Sequence, residues 1–353
     1  MERRNFLTKL GAGSLALPLM SFGTEKMITD RKISDRKIIK PKNLSPGDTV
    51  GIVSPASAIF ETEPYQIAVE SLEAMGLKVK LGEHVKNRYG HLAGTDQERA
   101  EELNAMFRDR EVNGIICLRG GSGAARILEL LDYDAIKNNP KVFCGYSDIT
   151  ALHLGVFTKT GLVTFHGPLA VSPWNEFTVD HFKSMLFEGE AAVLKNPEGT
   201  GEFLTQVKNR IRTITPGVVK GRLLGGNLSV MTGIMGSEYF PKDWSGKILY
   251  LEDVGEAIYA MDRMMTQLEL GGVFEKIDGF IFGKCTDCDP GGSGYGSLTL
   301  EEVIDHYIKP LGIPAFSGAM IGHIDKNLTI PNGIEAEMNA DEGIIRLLSP
   351  AVK

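Results

Sequence analysis

The chain has 353 residues, of which 42% are hydrophobic and 24% are charged. This length allows two domains that each bury their own core. Residues 1–43 carry ten basic and four acidic side chains, and because the formal net charge of the whole chain is −7, the remainder carries −13, which disfavours nucleic acid and anionic membranes as partners.

Residues 1–23 have the layout of an export signal. The pair Arg3-Arg4 precedes a short apolar run over residues 10–22, which falls short of the roughly 20 residues that a membrane span needs. The order Arg-Arg-Asn-Phe-Leu resembles a bacterial twin-arginine signal, and a frayed amphipathic terminus is the alternative. The signal layout leads us to expect a periplasmic protein. No cysteine precedes Cys117, so we expect no lipoprotein modification and no stable membrane anchor.

Residues 24–43 form a charged segment in which the order Asp-Arg-Lys-Ile occurs twice. Seven of its side chains are basic and three are acidic. Mixed charge of this kind without apolar periodicity is typical of a solvated tether rather than a nucleic-acid-binding arm. We therefore interpret the segment as a linker between the signal and the folded part of the chain.

Strand and helix patterns alternate between residues 48 and 168. The strand segments are continuous apolar runs, and the helical segments repeat apolar residues every three or four positions. This alternation predicts an α/β/α domain with a parallel sheet, in which binding sites form at the carboxyl ends of the strands. In chain order the segments are strand 48–55, helix 65–75, strand 77–85, helix 96–109, strand 112–120, helix 124–136, strand 141–147, helix 148–158 and strand 162–168.

The regular alternation is lost over residues 172–215, and we place a domain junction at 176–215. It divides an N-terminal domain, 44–175, from a C-terminal domain, 216–353. The second domain is predicted to be mixed α and β, and to close with antiparallel strands. Its segments are the apolar runs 217–236, 246–254 and 277–285, the helix 255–272, a helix over 297–312 capped by Ser297, and the alternating stretch 328–349.

Ser147 ends one of the predicted buried strands. A serine there can cap a helix, and it can also act as a nucleophile if a histidine activates it. Of the seven histidines, His166 and His323 each follow an apolar run and adjoin a glycine, which is typical of a strand end that opens into a loop. The others are predicted to be solvated or structural: His84, His91, His153, His181 and His306.

Two further segments could complete a hydrolase site. Glu252 and Asp253 follow an apolar run, where a carboxylate could orient a histidine, although acidic residues also favour helix N-termini. Gly120, Gly121 and Gly123 follow the third strand, where backbone N–H groups could hold an oxyanion. A dinucleotide-binding loop would be expected at the first strand instead. The residues alone therefore leave open a serine hydrolase and a ligand-binding α/β protein.

The four cysteines suggest no metal site. Cys117 and Cys144 lie within apolar runs and are predicted to be buried packing residues. Cys285 and Cys288 have Cys-x-x-Cys spacing, but no second ligand pair stands at a spacing suited to zinc. A local disulfide is possible in an oxidising compartment. We favour two buried or loop thiols over a metal site.

Eight segments in order resemble the serine LD-carboxypeptidases, which include murein tetrapeptide carboxypeptidases and microcin-immunity peptidases. The resemblance covers about residues 44–350. A single one of these motifs is weakly specific, whereas the ordered set is highly specific. The segments are GIVSPAS (51–57), RGGSGAARILELLDYD (119–134), GYSDITALH (145–153), TFHGP (164–168), GRLLGGNLSV (221–230), LYLEDVGE (249–256), DRMMTQL (262–268) and the combination of GH with IPNG (322–333).

The resemblance implies a role for each matching residue. Ser147 would be the nucleophile, Glu252 the orienting acid and His323 the base, with the backbone N–H groups of Gly121 and Asp148 as oxyanion donors. It also implies an N-terminal α/β domain like that of class I glutamine amidotransferases, a smaller, β-rich C-terminal domain, a site between the two domains, and a homodimer. No cofactor and no metal are expected.

The implied substrate is a murein tetrapeptide, from which the enzyme would release the terminal D-alanine at an L–D bond. A microcin-immunity-like peptidase for peptidyl-nucleotides or related acyl amides is one alternative, and a non-catalytic murein-binding protein is another. The chain departs from the family at Ser122, where an aromatic residue is common. Arg119 is a candidate for binding the substrate's terminal carboxylate.

Overall fold

The computed structural model describes residues 37–289 and 296–353. The predicted export signal, and the linker up to residue 36, lie outside the described residues. Those that are described belong to one compact unit. Within them, no helix combines the length and the apolar character needed to cross a membrane.

The strands of the described ranges supply two sheets. Most are short and buried, as the continuous apolar runs predict. In chain order they are β1 (Thr49–Val53), β2 (Lys78–Leu81), β3 (Val112–Cys117), β4 (Val142–Gly145), β5 (Thr164–His166), β6 (Val193–Leu194), β7 (Arg212–Thr215), β8 (Val218–Asn227), β9 (Lys247–Val254), β10 (Gly279–Thr286), β11 (Ala315–Ser317), β12 (Ile330–Asn332), β13 (Glu335–Asn339) and β14 (Ile344–Leu347).

Five helices of the described ranges begin where a local side chain accepts a hydrogen bond from a free backbone N–H group. Thr95 and Thr299 each accept a hydrogen bond from a glutamate N–H three residues on, and that glutamate accepts from the threonine N–H in return. In chain order the helices are α1 (Glu63–Ala74), α2 (Asp96–Arg108), α3 (Tyr133–Asn138), α4 (Thr150–Thr160), α5 (Glu176–Leu186), α6 (Leu228–Gly233), α7 (Ile258–Leu270) and α8 (Leu300–Ile308). The five that begin at such a side chain are α2, α3, α5, α6 and α8.

The first sheet has the order β12-β5-β4-β3-β1-β2. Its strands β1 to β5 are parallel, which confirms the predicted parallel α/β sheet. The edge strand β12 comes from the C-terminal part of the chain and pairs antiparallel with β5, so that Ile330 lies opposite His166. The carboxyl ends of β3 and β4 therefore lie side by side at one edge of this sheet.

The second sheet has the order β6-β14-β13-β8-β9-β10-β11-β7. Its centre, β8 to β11, is parallel, and the outer strands pair antiparallel. The predicted antiparallel ending is confirmed for β13 and β14. Strand β9 is buried from Lys247 to Asp253, which places its last residues inside the molecule. The predicted domain boundaries, with a junction at 176–215, stay a prediction.

Two predicted helices differ in detail. The helix predicted over 124–136 is a 3₁₀ helix, Ala124–Leu130, followed by α3, because the Asp132 side chain accepts from Ala135 N and starts a new helix. The predicted cap Ser297 is wrong, since Thr299 caps α8.

Candidate active site

Ser147 occupies a strained turn between β4 and α4. Its φ angle of 64° lies in the left-handed region, which costs a residue with a side chain about 1–2 kcal/mol. The turn presses the residue against Gly120, where an added Cβ would lie 2.8 Å from Ser147 Cβ. The loop that follows β3 therefore requires a glycine at position 120, and the Ser147 hydroxyl is held at the carboxyl edge of the first sheet.

Ser147, His323 and Glu252 form one hydrogen-bonded row. His323 Nε2 lies 2.9 Å from Ser147 Oγ, and His323 Nδ1 lies 2.8 Å from Glu252 Oε2. An ionised carboxylate only accepts hydrogen bonds, so Nδ1 carries a proton and donates a hydrogen bond to Glu252. Nε2 of the neutral ring is then the acceptor for the Ser147 hydroxyl. The three residues that the family resemblance singled out are thus brought together across the two sheets.

The carboxylate of Glu252 is sealed in the protein. Glu252 is 0% exposed, and its Oε1 has no hydrogen-bond partner among the described residues. Gly322, at φ 128°, packs against it, because an added Cβ there would lie 2.8 Å from Glu252 Oε2. The glycine before His323 thus lets the histidine approach the acid closely.

His323 is held from two further directions. Its ring and the Tyr146 ring pack in a T-shaped arrangement with a centroid distance of 4.9 Å. Its backbone carbonyl accepts a hydrogen bond of 2.8 Å from Thr286 Oγ1 at the end of β10. Ring and backbone are therefore both restrained, which limits the ways in which Nε2 can move away from Ser147.

The predicted oxyanion donors are sequence neighbours of the contact between Gly120 and Ser147, because Gly121 follows Gly120 and Asp148 follows Ser147. Gly121 follows the glycine that contacts Ser147, and its φ of 114° requires glycine. The Asp148 carboxylate accepts from Ala124 N at 2.7 Å, which ties the serine turn to the glycine loop. Burial raises the pKa of Asp148. The use of the Gly121 and Asp148 N–H groups as oxyanion donors stays a prediction.

His166 and Asp253, which the residues alone left as alternatives, lie elsewhere. His166 is fully buried, neither ring nitrogen has a hydrogen-bond partner among the described residues, and burial lowers its pKa well below the ordinary value. Asp253 accepts hydrogen bonds from Asn227 Nδ2 and from the backbone N–H of Ser229. Burial raises the pKa of Asp253 to about 6.

Arg119 and Ser122, on either side of Gly120 and Gly121, each form a hydrogen bond with a residue outside the glycine loop. Arg119 Nη1 donates to the Ala58 carbonyl at 3.1 Å. Ser122, at the position where an aromatic residue is common, lies 3.2 Å from His91 Nε2 through its hydroxyl. The assignment of Arg119 to the substrate carboxylate stays a prediction.

The preferred interpretation of Cys285 and Cys288 as loop thiols is wrong. They form a disulfide, with their Cα atoms 5.5 Å apart, a separation that suits such a bond. Cys117 and Cys144 are free and buried, as predicted, and burial raises the pKa of both thiols. Within residues 37–289 and 296–353, no group of three or more His, Cys, Asp or Glu side chains is arranged to hold a metal ion.

Sequence reasoning missed Thr286 and Gly322. Each acts through a contact with a residue distant in sequence, and neither belongs to a pattern that indicates its partner. Gly322 stands in the matched segment beside His323, so its position was a usable signal. Thr286 stands inside the Cys-x-x-Cys spacing, a pattern that indicates sulfur chemistry and gives no sign of a contact with His323.

Two family models match the chain. The LD-carboxypeptidase N-terminal domain matches residues 50–167, and the LD-carboxypeptidase C-terminal domain matches residues 220–338. Together they include all three residues of the hydrogen-bonded row.

Individual proteins resemble the chain over most of its length. A probable murein peptide carboxypeptidase of Bacillus subtilis is 39% identical, over 86% of this chain and 92% of its own. A murein tetrapeptide carboxypeptidase of Pseudomonas aeruginosa is 30% identical, over 83% of this chain and 93% of its own. The structure of the microcin C7 self-immunity protein MccF in complex with aspartyl sulfamoyl adenosine superimposes with a TM-score of 0.81 at 30% identity, covering 89% of this chain and 100% of that one.

Proposed function

Because the chain belongs to the LD-carboxypeptidase family, we propose that it is a serine carboxypeptidase that releases the terminal D-alanine from murein tetrapeptide. The observation that carries the proposal is the row Ser147–His323–Glu252, with bonds of 2.9 Å and 2.8 Å. A nucleophile, a base within hydrogen-bond reach and a group that orients the base are what acyl transfer requires. The names of the murein relatives support the choice of substrate.

The proposed reaction begins at the Ser147 hydroxyl. His323 Nε2 takes its proton as Oγ attacks the carbonyl carbon of the L–D peptide bond. The carbonyl oxygen becomes an oxyanion, which the N–H groups of Gly121 and Asp148 stabilise. His323 then donates the proton to the leaving nitrogen, D-alanine departs, and an acyl-enzyme on Ser147 remains.

Hydrolysis of the acyl-enzyme repeats the same proton movements with water. His323 Nε2 takes a proton from the water, whose oxygen attacks the ester carbon, and returns the proton to Ser147 Oγ as the tripeptide leaves. In both halves Glu252 stabilises the imidazolium through Nδ1. The buried position of this carboxylate makes that interaction stronger than it would be in water.

The experiment is a product analysis with purified protein. Incubation with murein tetrapeptide should yield tripeptide and D-alanine in equal amounts, and a chelator should leave the rate unchanged. Ser147→Ala should abolish both products. Loss of activity with chelator and recovery with zinc would contradict a metal-free serine mechanism. A biological activity that survives Ser147→Ala would favour the non-catalytic murein-binding alternative.

A microcin-immunity-like activity is the second candidate, and the likeness to MccF favours it. The relevant comparison is the rate on tetrapeptide against the rate on a hydrolysable aspartyl-adenylate analogue, measured with the same preparation. We expect the tetrapeptide to be the better substrate. A higher kcat/KM on the nucleotide compound would reverse the assignment while leaving the serine mechanism intact.

We further propose export to the periplasm by the twin-arginine route, on the strength of Arg3-Arg4 and the short apolar run that follows them. An exported enzyme meets peptidoglycan fragments, which supports the murein substrate over a cytoplasmic toxin. The homodimer stays a prediction, to be checked by the molar mass of the protein in solution.

A further inference from the structure

We propose that Thr286 is a positioning residue for His323, and that the Cys285–Cys288 disulfide holds Thr286 in place, so that turnover depends on the oxidised state of this pair. The inference rests on the proposed function only in assigning His323 as the base. It concerns a hydroxyl and a disulfide that the reaction itself does not use.

Thr286 is bonded to the loop that carries His323 and to the residue that follows strand β9, which carries Glu252. Its Oγ1 donates to the His323 carbonyl at 2.8 Å. Its own carbonyl accepts from Gly255 N at 2.8 Å, and it lies opposite Val254 in the ladder between β10 and β9. One residue therefore links the loop that carries the base to the strand that carries Glu252.

The disulfide between Cys285 and Cys288 spans Thr286. Cys285 lies opposite Asp253 in the ladder, and its sulfur lies 3.7 Å from Met261 Sδ in α7, which anchors the first end of the turn. Asp287 has a φ of 54°, a left-handed conformation that Asp adopts more readily than most residues other than glycine. A covalent bond across this tight turn restricts the conformations from which the Thr286 hydroxyl could lose its partner.

A general stabilising role does not account for this placement. The bond joins residues only three apart in sequence, and so short a loop removes little entropy from the unfolded chain. The local effect is larger, since an active-site group displaced by about 1 Å can lower the rate about 10²-fold. Loss of the bond should therefore change turnover more than it changes stability.

The chemistry of the change is thiol–disulfide exchange with a dithiol reductant. A reductant thiolate attacks one sulfur of the pair, forms a mixed disulfide and releases the other cysteine as a thiolate. The second reductant thiol then closes a cyclic disulfide and releases the remaining cysteine, so that the protein gains two protons and two electrons. Cys117 and Cys144 are 0% exposed, so the reagent acts on the half-buried pair.

The experiment measures kcat and KM on tetrapeptide before and after treatment with dithiothreitol, with free thiols counted in each sample. We expect complete reduction to lower kcat about 10-fold to 10²-fold, with KM nearly unchanged, and reoxidation to restore the rate. The double variant Cys285→Ser/Cys288→Ser should match the reduced enzyme and should not respond to reductant. Unchanged kcat after complete reduction would overturn the redox dependence.

Thr286 is tested separately with Thr286→Val, which keeps the shape and removes the donor. We expect a similar loss of kcat, and recovery in Thr286→Ser, which keeps the hydroxyl. The matched control is Thr213→Val, because Thr213 Oγ1 also bonds a distant carbonyl, that of Ala340 at 3.0 Å, away from the site. Equal effects of the two valine variants would overturn the positioning role.

A second readout separates this inference from the proposed substrate. A fluorophosphonate reagent labels an activated serine without needing the peptide. If the oxidised protein turns over no tetrapeptide, the proposed function fails, while a slower labelling of Ser147 after reduction and in Thr286→Val still supports the inference. A labelling rate that neither change alters would contradict it.

Discussion

Glu252 and His323 are joined by a hydrogen bond of 2.8 Å in which the carboxylate is 0% exposed. A buried carboxylate can stabilise a neighbouring imidazolium strongly because water does not screen the interaction. The acid also fixes which ring nitrogen faces Ser147. The pair thus supplies both the orientation and the electrostatic stabilisation that the proposed reaction needs.

The three residues of the row should differ in importance. Ser147→Ala and His323→Ala should each lower kcat about 10⁶-fold, since nucleophile and base act as a unit, and Glu252→Gln should lower it about 10⁴-fold with the fold intact. Steady-state kinetics measure the losses of kcat, and circular dichroism checks that the fold is intact. A larger loss from Asp253→Asn or His166→Phe than from Glu252→Gln would contradict the assignment.

Gly120→Ala should disable the site through Ser147. The new Cβ would lie 2.8 Å from Ser147 Cβ and 3.0 Å from its Oγ, so the serine has to move. We expect kcat to fall about 10²-fold, measured beside the melting temperature. Gly233→Ala is the matched control, because an added Cβ there meets nothing within 4 Å. Full activity in Gly120→Ala would contradict this expectation and would mean that the glycine loop moves in place of Ser147.

The protein should become less stable as the pH rises from about 4 to 6, because the buried Asp253 carboxyl favours the folded state only while it is protonated. Its pKa is raised from 3.8 to about 6 by burial, so the folded state keeps a proton in this range that the unfolded state has lost. The stabilisation is present below pH 3.8 and is lost as the pH rises to about 6, by about 3 kcal/mol.

Urea unfolding of the native protein and of Asp253→Asn at several pH values tests this slope. The variant cannot ionise, so the native protein's free energy of unfolding should fall relative to the variant's as the pH rises. Asp243→Asn is a control of opposite sign, since a hydrogen bond from Ser245 N lowers the pKa of Asp243. Parallel curves for the native protein and Asp253→Asn would refute the prediction.

Changing Arg3 and Arg4 to lysine should stop export. Lysine keeps the charge but lacks the guanidinium geometry that a receptor reads, so the protein should stay in the cytoplasm at full length. Cell fractionation with immunoblotting measures this. Continued export of the variant would indicate a general secretory signal. Retention of both forms would remove the periplasmic proposal and strengthen the immunity-type alternative.

The position of Ser147 was predictable from the residues, because a buried strand followed by a serine in a parallel sheet places that serine at the carboxyl edge. The choice of His323 came from the family resemblance, since it lies 176 positions from Ser147. The bond from Thr286 to His323 was not predictable, because no local pattern specifies a contact across 37 positions. The same holds for Cys285 and Cys288, whose spacing suits thiols, a disulfide or half of a metal site.

The sequence by itself determined the features that depend on neighbours along the chain. Apolar runs separated by helical patterns specify parallel strands, and a threonine followed by a glutamate three residues on starts α2 and α8. The pattern of the residues did not decide between Glu252 and Asp253, and the tertiary structure did, since it places Glu252 against His323. Successive side chains on a strand point to opposite faces of the sheet, so one of the two had to face His323 and the other Asn227 and Ser229. Which face meets the histidine depends on how the second sheet packs, and that packing is a property of the whole chain.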